Sequence, residues 1–285
     1  MCVIWGIPYL LIRVAVRDLD PAMLVFARTT IGAAVLLPIA MKRNELRPVL
    51  ARWRPLLVFA AIEIAIPWLL LSSAERRLSS SFSGLTIAVV PLVGALIARE
   101  RLGAWSLGGL VLGFGGVVAL VGLDLHGLSA VGLLEIAGVI VGYAVGPIVL
   151  SRHLSGLPAM GVIAASLGVT TIVYAPIAAF SVPSSMPSAK VIWSVIGLAL
   201  VCTALAFIVF FALIAEVGPV RATVITYVNP AVAAVLGVWL LNEKFTAGMG
   251  IGFALILVGS VLAARKPSEV VDVSSAGQAG LRAEA

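Results

Sequence analysis

The chain has 285 residues, of which 61% are apolar and 11% are charged, and its formal net charge is +6. Soluble domains carry roughly 25% charged residues, so this composition excludes a soluble globular protein and indicates an integral membrane protein. In a membrane protein, a positive charge reflects the excess of Lys and Arg in cytoplasmic loops. We therefore expect a lipid bilayer as the surroundings and no nucleic-acid partner.

Apolar runs of about the ~20 residues that a helix needs to cross a bilayer recur along the whole chain. We predict ten transmembrane spans, numbered in chain order: 2–16, 22–41, 55–73, 82–98, 104–123, 129–150, 159–180, 191–214, 220–241 and 246–264. Met1 opens directly into an apolar run, so we expect the first span to lack its natural start. The small, polar residues 266–285 predict a disordered cytoplasmic tail.

The two halves of the chain contain the same ordered set of residues, which indicates an internal repeat. The matches at an offset of 139 are Pro8 with Pro147, Arg13 with Arg152, and Pro91 with Pro230. The matches at an offset of 143 are Glu100 with Glu243, Gly109 with Gly252, and Gly116 with Gly259. The difference of four residues is about one helical turn, missing from the first copy between its proline and its glutamate.

Five spans per copy is an odd number, so the second copy must enter the membrane from the opposite side. We predict an all-α fold of ten transmembrane helices in two inverted five-helix repeats, residues 1–123 and 129–265. Lys and Arg are roughly twice as frequent on the side of the 42–54 loop as on the other side, which by the positive-inside rule is the cytoplasm. This places both termini in the cytoplasm and the protein in the cell's inner membrane.

Several of these residues also resemble a known family, the EamA-type branch of the drug/metabolite transporter superfamily. They are Trp5 and Gly6 near the start, Arg28 in the second span, and both copies of the Pro, Glu-Arg/Lys, Gly, Gly ending. The resemblance covers about residues 1–265. It implies ten helices in two inverted repeats, and the movement of small metabolites, often outward. The shortened spacing from Pro91 to Glu100 and the abrupt start depart from the family pattern.

Glu63 is the main candidate for a functional group, because an ionisable residue inside a span is costly. It is the ninth of nineteen residues in span 3, about 12 Å from either end. Removing a carboxyl from water favours its neutral form. Pro67 follows four residues later, and its missing N–H leaves the Glu63 carbonyl without an α-helical donor. The alternative is a protonated glutamic acid that only joins two helices.

The remaining candidates lie in or near other spans. Arg28 is predicted to pair with Glu63, to contact a substrate carboxylate, or to reach the outer headgroups. Glu135 is predicted near the membrane interface, and Glu100 and Glu243 at helix ends as caps. Our full set of substrate- or proton-binding candidates is Glu63, Arg28, Trp5, Tyr9, Pro67, Tyr143, Thr226 and Tyr227.

Enzyme motifs are missing from the sequence: it contains no HExxH, GxSxG or Walker A motif. Cys2 and Cys202 lie in apolar runs and lack metal-ligand spacing. We therefore predict no enzyme activity, no cofactor and no metal site. Without a nucleotide-binding element, transport is passive or driven by an ion gradient.

The predicted function is that of a secondary transporter exporting amino acids, related metabolites or amphipathic drugs by alternating access. Proton coupling through Glu63 is a hypothesis. The alternatives are an uncoupled facilitator, a membrane lipid enzyme and a non-transporting scaffold. The glycine pairs Gly109/Gly113 and Gly248/Gly252 predict close helix packing within one chain, with a homodimer seam at spans 5 and 10 as the alternative.

Overall fold

The computed structural model describes residues 1–97, 104–121, 129–217 and 228–263, and all regular structure in these ranges is helical. We number the described α-helices in chain order. They are α1 (Cys2–Ala15), α2 (Pro21–Lys42), α3 (Leu46–Ala51), α4 (Trp53–Phe59), α5 (Ile66–Ala74), α6 (Ser80–Ile87), α7 (Val90–Ile97), α8 (Ala104–Val121), α9 (Ala130–His153), α10 (Ala159–Ala179), α11 (Ala189–Ala199), α12 (Ala206–Val217), α13 (Asn229–Leu241) and α14 (Ala247–Ala263).

Six of the described helical stretches are long and apolar enough to cross a membrane: 21–42, 53–74, 80–97, 130–153, 159–179 and 189–216. They account for spans 2, 3, 4, 6, 7 and 8. The other four predicted spans coincide with shorter apolar helices at 3–15, 107–119, 229–241 and 247–262. The protein is thus a multi-pass membrane protein, and the number of ten crossings stays a prediction.

Short polar residues define several helix starts. The Asp20 side chain accepts a hydrogen bond of 2.9 Å from the Ala22 N–H, and Pro21 occupies the first turn of α2. Ser79 and Ser129 cap α6 and α9 in the same way. Such side chains satisfy N–H groups that have no partner within the helix, which matters most in an apolar medium.

Two helices contain a π-helical segment each, which we call π1 (Ala60–Ala65) and π2 (Leu200–Leu205). π1 joins α4 to α5, and π2 joins α11 to α12. Their starts are 200 − 60 = 140 residues apart, against the repeat offset of 139. π-helical turns are rare and are frequently found at functional sites.

Most of the helix packing joins the first half of the chain to the second. The most extensive pairs are α8 with α14, α2 with α10, α6 with α13, α5 with α9, α1 with α13, and α1 with α11. In terms of spans these are 5 with 10, 2 with 7, 4 with 9, 3 with 6, 1 with 9, and 1 with 8. Exchanging the two halves turns the pair 3 with 6 into the pair 8 with 1, and the pair 1 with 9 into the pair 6 with 4, which α7 and α9 form. The pairing therefore agrees with a two-fold relation. The superposition of the halves stays a prediction.

Glycines allow α8 and α14 to touch along their backbones. A Cβ on Gly116 would lie 2.7 Å from the Gly252 carbonyl oxygen, and one on Gly259 would lie 2.5 Å from that of Gly109. A Cβ on Gly248 would lie 2.7 Å from the Ala119 carbonyl oxygen. The predicted use of these glycines for packing within one chain is confirmed.

Candidate functional site

Arg28 lies inside the helix bundle, with only 7% of its surface exposed. Its guanidinium carbon lies 3.6 Å from the centre of the Trp68 ring of α5. Its Nε donates a hydrogen bond of 2.8 Å to the Thr203 hydroxyl in π2, and that hydroxyl donates to the Leu198 carbonyl at 2.8 Å. The stacking and the hydrogen bond fix the plane of the guanidinium.

These contacts decide between the three predicted roles of Arg28. It is too buried to reach the outer headgroups, so that prediction is wrong. The ion pairs found in the described ranges do not join Arg28 to Glu63. A role in binding a substrate carboxylate is the remaining prediction.

Glu63 lies in π1 and points at Gly146 of α9. A Cβ on Gly146 would overlap the Glu63 Oε2 atom, so the absence of a side chain makes room for the carboxyl. Oε2 is buried and has no hydrogen-bond partner among the described atoms. A buried carboxyl oxygen without a donor costs free energy, which sets Glu63 apart from the paired glutamates of this chain.

Two tyrosines, Tyr143 and Tyr9, lie near these groups. Tyr143 on α9 lies within electrostatic reach of both Glu63 and Arg28. Tyr9 on α1 lies within reach of Tyr143 and Arg28 and is 8% exposed. Helices α1, α2 and α9 and segment π1 thus bring four of the predicted residues into one polar cluster, in which Arg28 and Tyr9 are buried and Glu63 and Tyr143 are half-buried.

Pro67 is buried and packs against Gly142 of α9, where an added Cβ would lie 2.6 Å from the proline ring. The π register changes the expected consequence of its missing N–H. Ile66 donates to the Ala61 carbonyl, five residues earlier. In this register Pro67 would pair with Ile62 and not with Glu63, and the Ile62 carbonyl lies against Gly142. The carbonyl that lacks a helical donor is therefore that of Ile62, and not that of Glu63 as predicted.

Trp5 lies one helical turn before Tyr9 and belongs to an aromatic group. Its ring centre is 4.7 Å from that of Phe210 and 6.0 Å from that of Phe207, both on α12. These contacts give an apolar wall between α1 and α12, one turn along α1 from Tyr9. The two other candidates, Thr226 and Tyr227, lie outside the described residues.

The other glutamates have structural partners. Glu135 accepts hydrogen bonds from the Ser73 hydroxyl at 2.6 Å and from Arg77 at 3.1 Å, which agrees with an interfacial position. Glu243 accepts from the N–H groups and hydroxyls of Ser80 and Ser81 at 2.6–3.0 Å. Glu243 is therefore a cap, as predicted, on the N-terminus of α6. Glu100 lies outside the described residues.

Sequence reasoning missed Trp68, Thr203 and Glu75. Trp68 directly follows Pro67, and its ring was indistinguishable from ordinary apolar packing. Thr203 takes the place in π2 that Glu63 takes in π1, since 203 − 63 = 140 is the spacing of the two π segments, whereas the repeat offset of 139 leads from Glu63 to Cys202. Glu75 is fully buried, although two arginines follow it directly in the sequence.

The cluster combines a fixed cation, a carboxyl without a donor, two phenol hydroxyls and an aromatic wall. It has the features of a site for a small molecule with a carboxylate, an ammonium group and an apolar part. An apolar cleft of about 420 Å³ between α1, α11 and α13 has Lys190 as its one charged lining residue. That cleft lacks the opposite charges found at the cluster.

Comparison with known proteins gives one family and one fold. The model of the EamA-like transporter family matches residues 1–122 and 130–265. The crystal structure of a protein that is 23% identical in sequence gives a TM-score of 0.66 over 92% of this chain and 93% of that chain. This likeness shows a shared fold. A search of curated proteins finds no match.

Proposed function

The chain belongs to the EamA-like transporter family, and from that premise we propose that it is a secondary transporter exporting small metabolites by alternating access. Amino acids and related amphipathic compounds are the proposed substrate class. We place the protein in the inner membrane with both termini in the cytoplasm. The binding site would be the polar cluster, and the repeats would rock around it.

One observation carries the substrate class: Arg28 is a buried cation, Glu63 is an acidic residue with one carboxyl oxygen withdrawn from water, and the two form no ion pair with each other in the described structure. Tyr143 lies within electrostatic reach of both. A zwitterion would satisfy both groups at once, its carboxylate on the guanidinium and its ammonium on the carboxyl. Electrostatic attraction in such a setting is far stronger than in water.

The carboxyl also supports coupling to protons. Glu63 has an oxygen without a donor, so either a proton or a substrate ammonium would stabilise it. Competition between a proton and a substrate for one carboxyl is sufficient to exchange one for the other. Trp5, Phe207 and Phe210 would hold the apolar part of the substrate.

Counterflow in proteoliposomes tests the proposal. Vesicles loaded with a panel of amino acids should accumulate the radiolabelled form of those that the protein carries. For such an amino acid, its amide and its N-acetyl derivative should compete more weakly, because each lacks one of the two charges. Absence of counterflow for the whole panel, and for amphipathic cations, would contradict the proposed function.

Arg28→Lys is expected to weaken the binding of substrate carboxylates. Lysine keeps the charge but cannot stack its plane on Trp68 while donating from a side nitrogen to Thr203. Counterflow half-saturation should rise for the amino acid and change little for its amide. Arg77→Lys is the matched control, because Arg77 pairs with Glu135 away from the cluster and its substitution should leave both values unchanged.

The orientation can be tested by thiol labelling of intact cells. In a background without Cys2 and Cys202, Arg47→Cys on exposed α3 should resist a membrane-impermeant thiol reagent until the cells are permeabilised. Ser184→Cys in the exposed loop between α10 and α11 should react at once. The reverse pattern would place both termini outside.

A further inference from the structure

Glu75 is a second buried carboxyl, separate from the site described above. It follows α5 directly and is 0% exposed. Neither of its carboxyl oxygens has a hydrogen-bond partner among the described atoms. Its backbone is well bonded, since its N–H donates to the Leu71 carbonyl at 3.0 Å and its carbonyl accepts from the Arg13 guanidinium. The backbone groups of Glu75 are therefore hydrogen-bonded, whereas its buried carboxyl is not.

The charged groups around Glu75 come from several elements. Arg13 of α1 is the neighbouring cation, and one of its nitrogens is already bonded to the Glu75 carbonyl. Glu243, from the connection between α13 and α14, and Tyr9 of α1 also lie within electrostatic reach. The Ser83 hydroxyl of α6 lies beside the carboxyl, close enough to favour its ionised form, but the two do not form a hydrogen bond of regular geometry.

The arginines that follow Glu75 in sequence do not neutralise it. Arg76 donates to the Leu19 carbonyl at 2.8 Å and lies 3.7 Å from the Asp20 carboxylate. Arg77 pairs with Glu135 at 3.1 Å. Both side chains therefore lead away from the buried carboxyl, and Glu75 faces one partly engaged cation and one carboxylate.

Glu75 and Glu243 have contrasting surroundings. Burial is the main cause that raises the pKa of Glu75 well above its usual range; the Glu243 carboxylate raises it further, and Arg13 and Ser83 oppose this by less. Burial also raises the pKa of Glu243, but the hydrogen bonds from Ser81 and Ser80 together lower it by more, so its net pKa is below the usual value. The surroundings thus favour the ionised form of Glu243 and the neutral form of Glu75.

We propose that Glu75 is a second proton-binding carboxyl of this transporter, located where α1, α5, α6 and the α13–α14 connection meet, and protonated while that end of the bundle is closed. The inference rests on the proposed transport function for its place in a cycle. It does not rest on the identity of the substrate or on Glu63.

Opening of this end supplies the path for the proton. When α6 and the α13–α14 connection separate from α1 and α5, water reaches the carboxyl, the O–H bond breaks, and the proton passes to water. The electron pair stays on the carboxylate, next to the Arg13 guanidinium. Closing reverses these steps, because burying an ionised carboxyl beside Glu243 is unfavourable.

The sign of the pH dependence follows from the two states. In the open state the carboxyl is hydrated and has an ordinary pKa of about 4.3, whereas in the closed state its pKa is raised. Below both values Glu75 is protonated in both states, and the equilibrium does not depend on its charge. Between the two values, a rising pH favours opening, and above the raised value the effect is complete.

A buried cysteine measures this opening without any substrate. Ala234 on α13 is 6% exposed, and its carbonyl lies 3.4 Å from the Ser81 hydroxyl, so it sits where α6 meets α13. In purified protein without Cys2 and Cys202, a cysteine at Ala234 should react faster with a polar thiol reagent as the pH rises. The rates are corrected for the thiolate fraction with a reference thiol. Glu75→Gln should remove this dependence and hold the rate at its low-pH value.

Glu135→Gln is the matched control, since Glu135 is a neighbouring carboxyl with hydrogen-bond partners. It should retain the wild-type pH profile. A wild-type profile in Glu75→Gln, or its loss in Glu135→Gln alone, would overturn the proposal.

Infrared spectroscopy observes the proton itself and does not require opening to be complete. In a Glu63→Gln background, the C=O band of neutral carboxylic acid should shrink as the pH rises above about 6, where ordinary carboxyls are already ionised. This change should be missing when Glu75 is also replaced by Gln. No difference between the two proteins would overturn the proposal. If counterflow fails for every substrate while these two results hold, the transport function is wrong and the proton site stands.

Discussion

Glu63→Gln is expected to reduce transport driven by a pH gradient to the rate of protein-free vesicles, while substrate–substrate exchange continues. Glutamine keeps the size of the side chain and fits the space opposite Gly146, but it cannot take up or release a proton. The measurement compares pH-driven flux with counterflow in the same proteoliposomes. The two activities should separate in this variant and stay together in the wild-type protein.

Two controls make this result specific. Glu135→Gln changes a carboxyl held by Ser73 and Arg77, and it should leave both kinds of flux unchanged. Glu75→Gln should impair pH-driven flux but give its own signature in cysteine labelling. Wild-type pH-driven flux in Glu63→Gln would contradict coupling through this residue, and the protein would then be a facilitator with Glu63 as a helix contact.

Gly116→Ala is expected to destabilise the protein by about 1–3 kcal/mol, the usual range for extra atoms in a filled core. The new methyl group would lie 2.7 Å from the Gly252 carbonyl oxygen and 2.8 Å from the Ile256 backbone nitrogen. Backbone atoms cannot turn aside, so α8 and α14 would have to separate. Thermal unfolding in detergent should show a lower midpoint.

The adjacent glycine is the control for this prediction. Gly115 is exposed on the other side of α8, and a Cβ there would meet no atom within 4 Å. Alanine is preferred over glycine inside a helix by about 0.5–1 kcal/mol, so Gly115→Ala should leave the midpoint unchanged or raise it. Equal midpoints for the two variants would contradict close backbone packing of α8 and α14.

Much of the fold could be read from the sequence because a bilayer imposes simple rules. Long apolar runs must be helices, since the hydrocarbon offers no other partner to the backbone. The repeated Pro, Glu and Gly residues were also sufficient to indicate the family. The glycines of α8 and α14 were recognisable because only small residues allow backbones to approach so closely.

The site could be predicted only in part. Glu63 and Arg28 stood out because charges are rare in the middle of spans, but their partners depend on how helices far apart in sequence are rotated. The pattern gave no reason to prefer a hydrogen bond from Arg28 to Thr203, 175 residues away. The π register also escaped detection, because it alters hydrogen bonding without altering the apolar pattern.

The burial of Glu75 could not be predicted from the sequence. Its sequence neighbours Arg76 and Arg77 are 40% and 38% exposed at their side chains. Glu75 is buried because the chain turns there, between the end of α5 and the start of α6. The composition of a turn indicates that its residues are exposed on average. It cannot identify the one residue whose side chain faces inward.

The two π segments place an extra residue in the helices next to the candidate site. Each holds one residue more than an α-helix would place in the same turn, and Glu63 and Thr203 lie within these turns. Passing the surplus residue to the next turn advances the side chains it crosses by about 1.5 Å and swings them by about 100° around the axis. Such a slip would carry Glu63 away from Gly146, or Thr203 away from Arg28, while both ends of the helix stay in place. Different side chains would then line the site after a shift by one residue. No helix would have to leave the membrane or bend at a hinge.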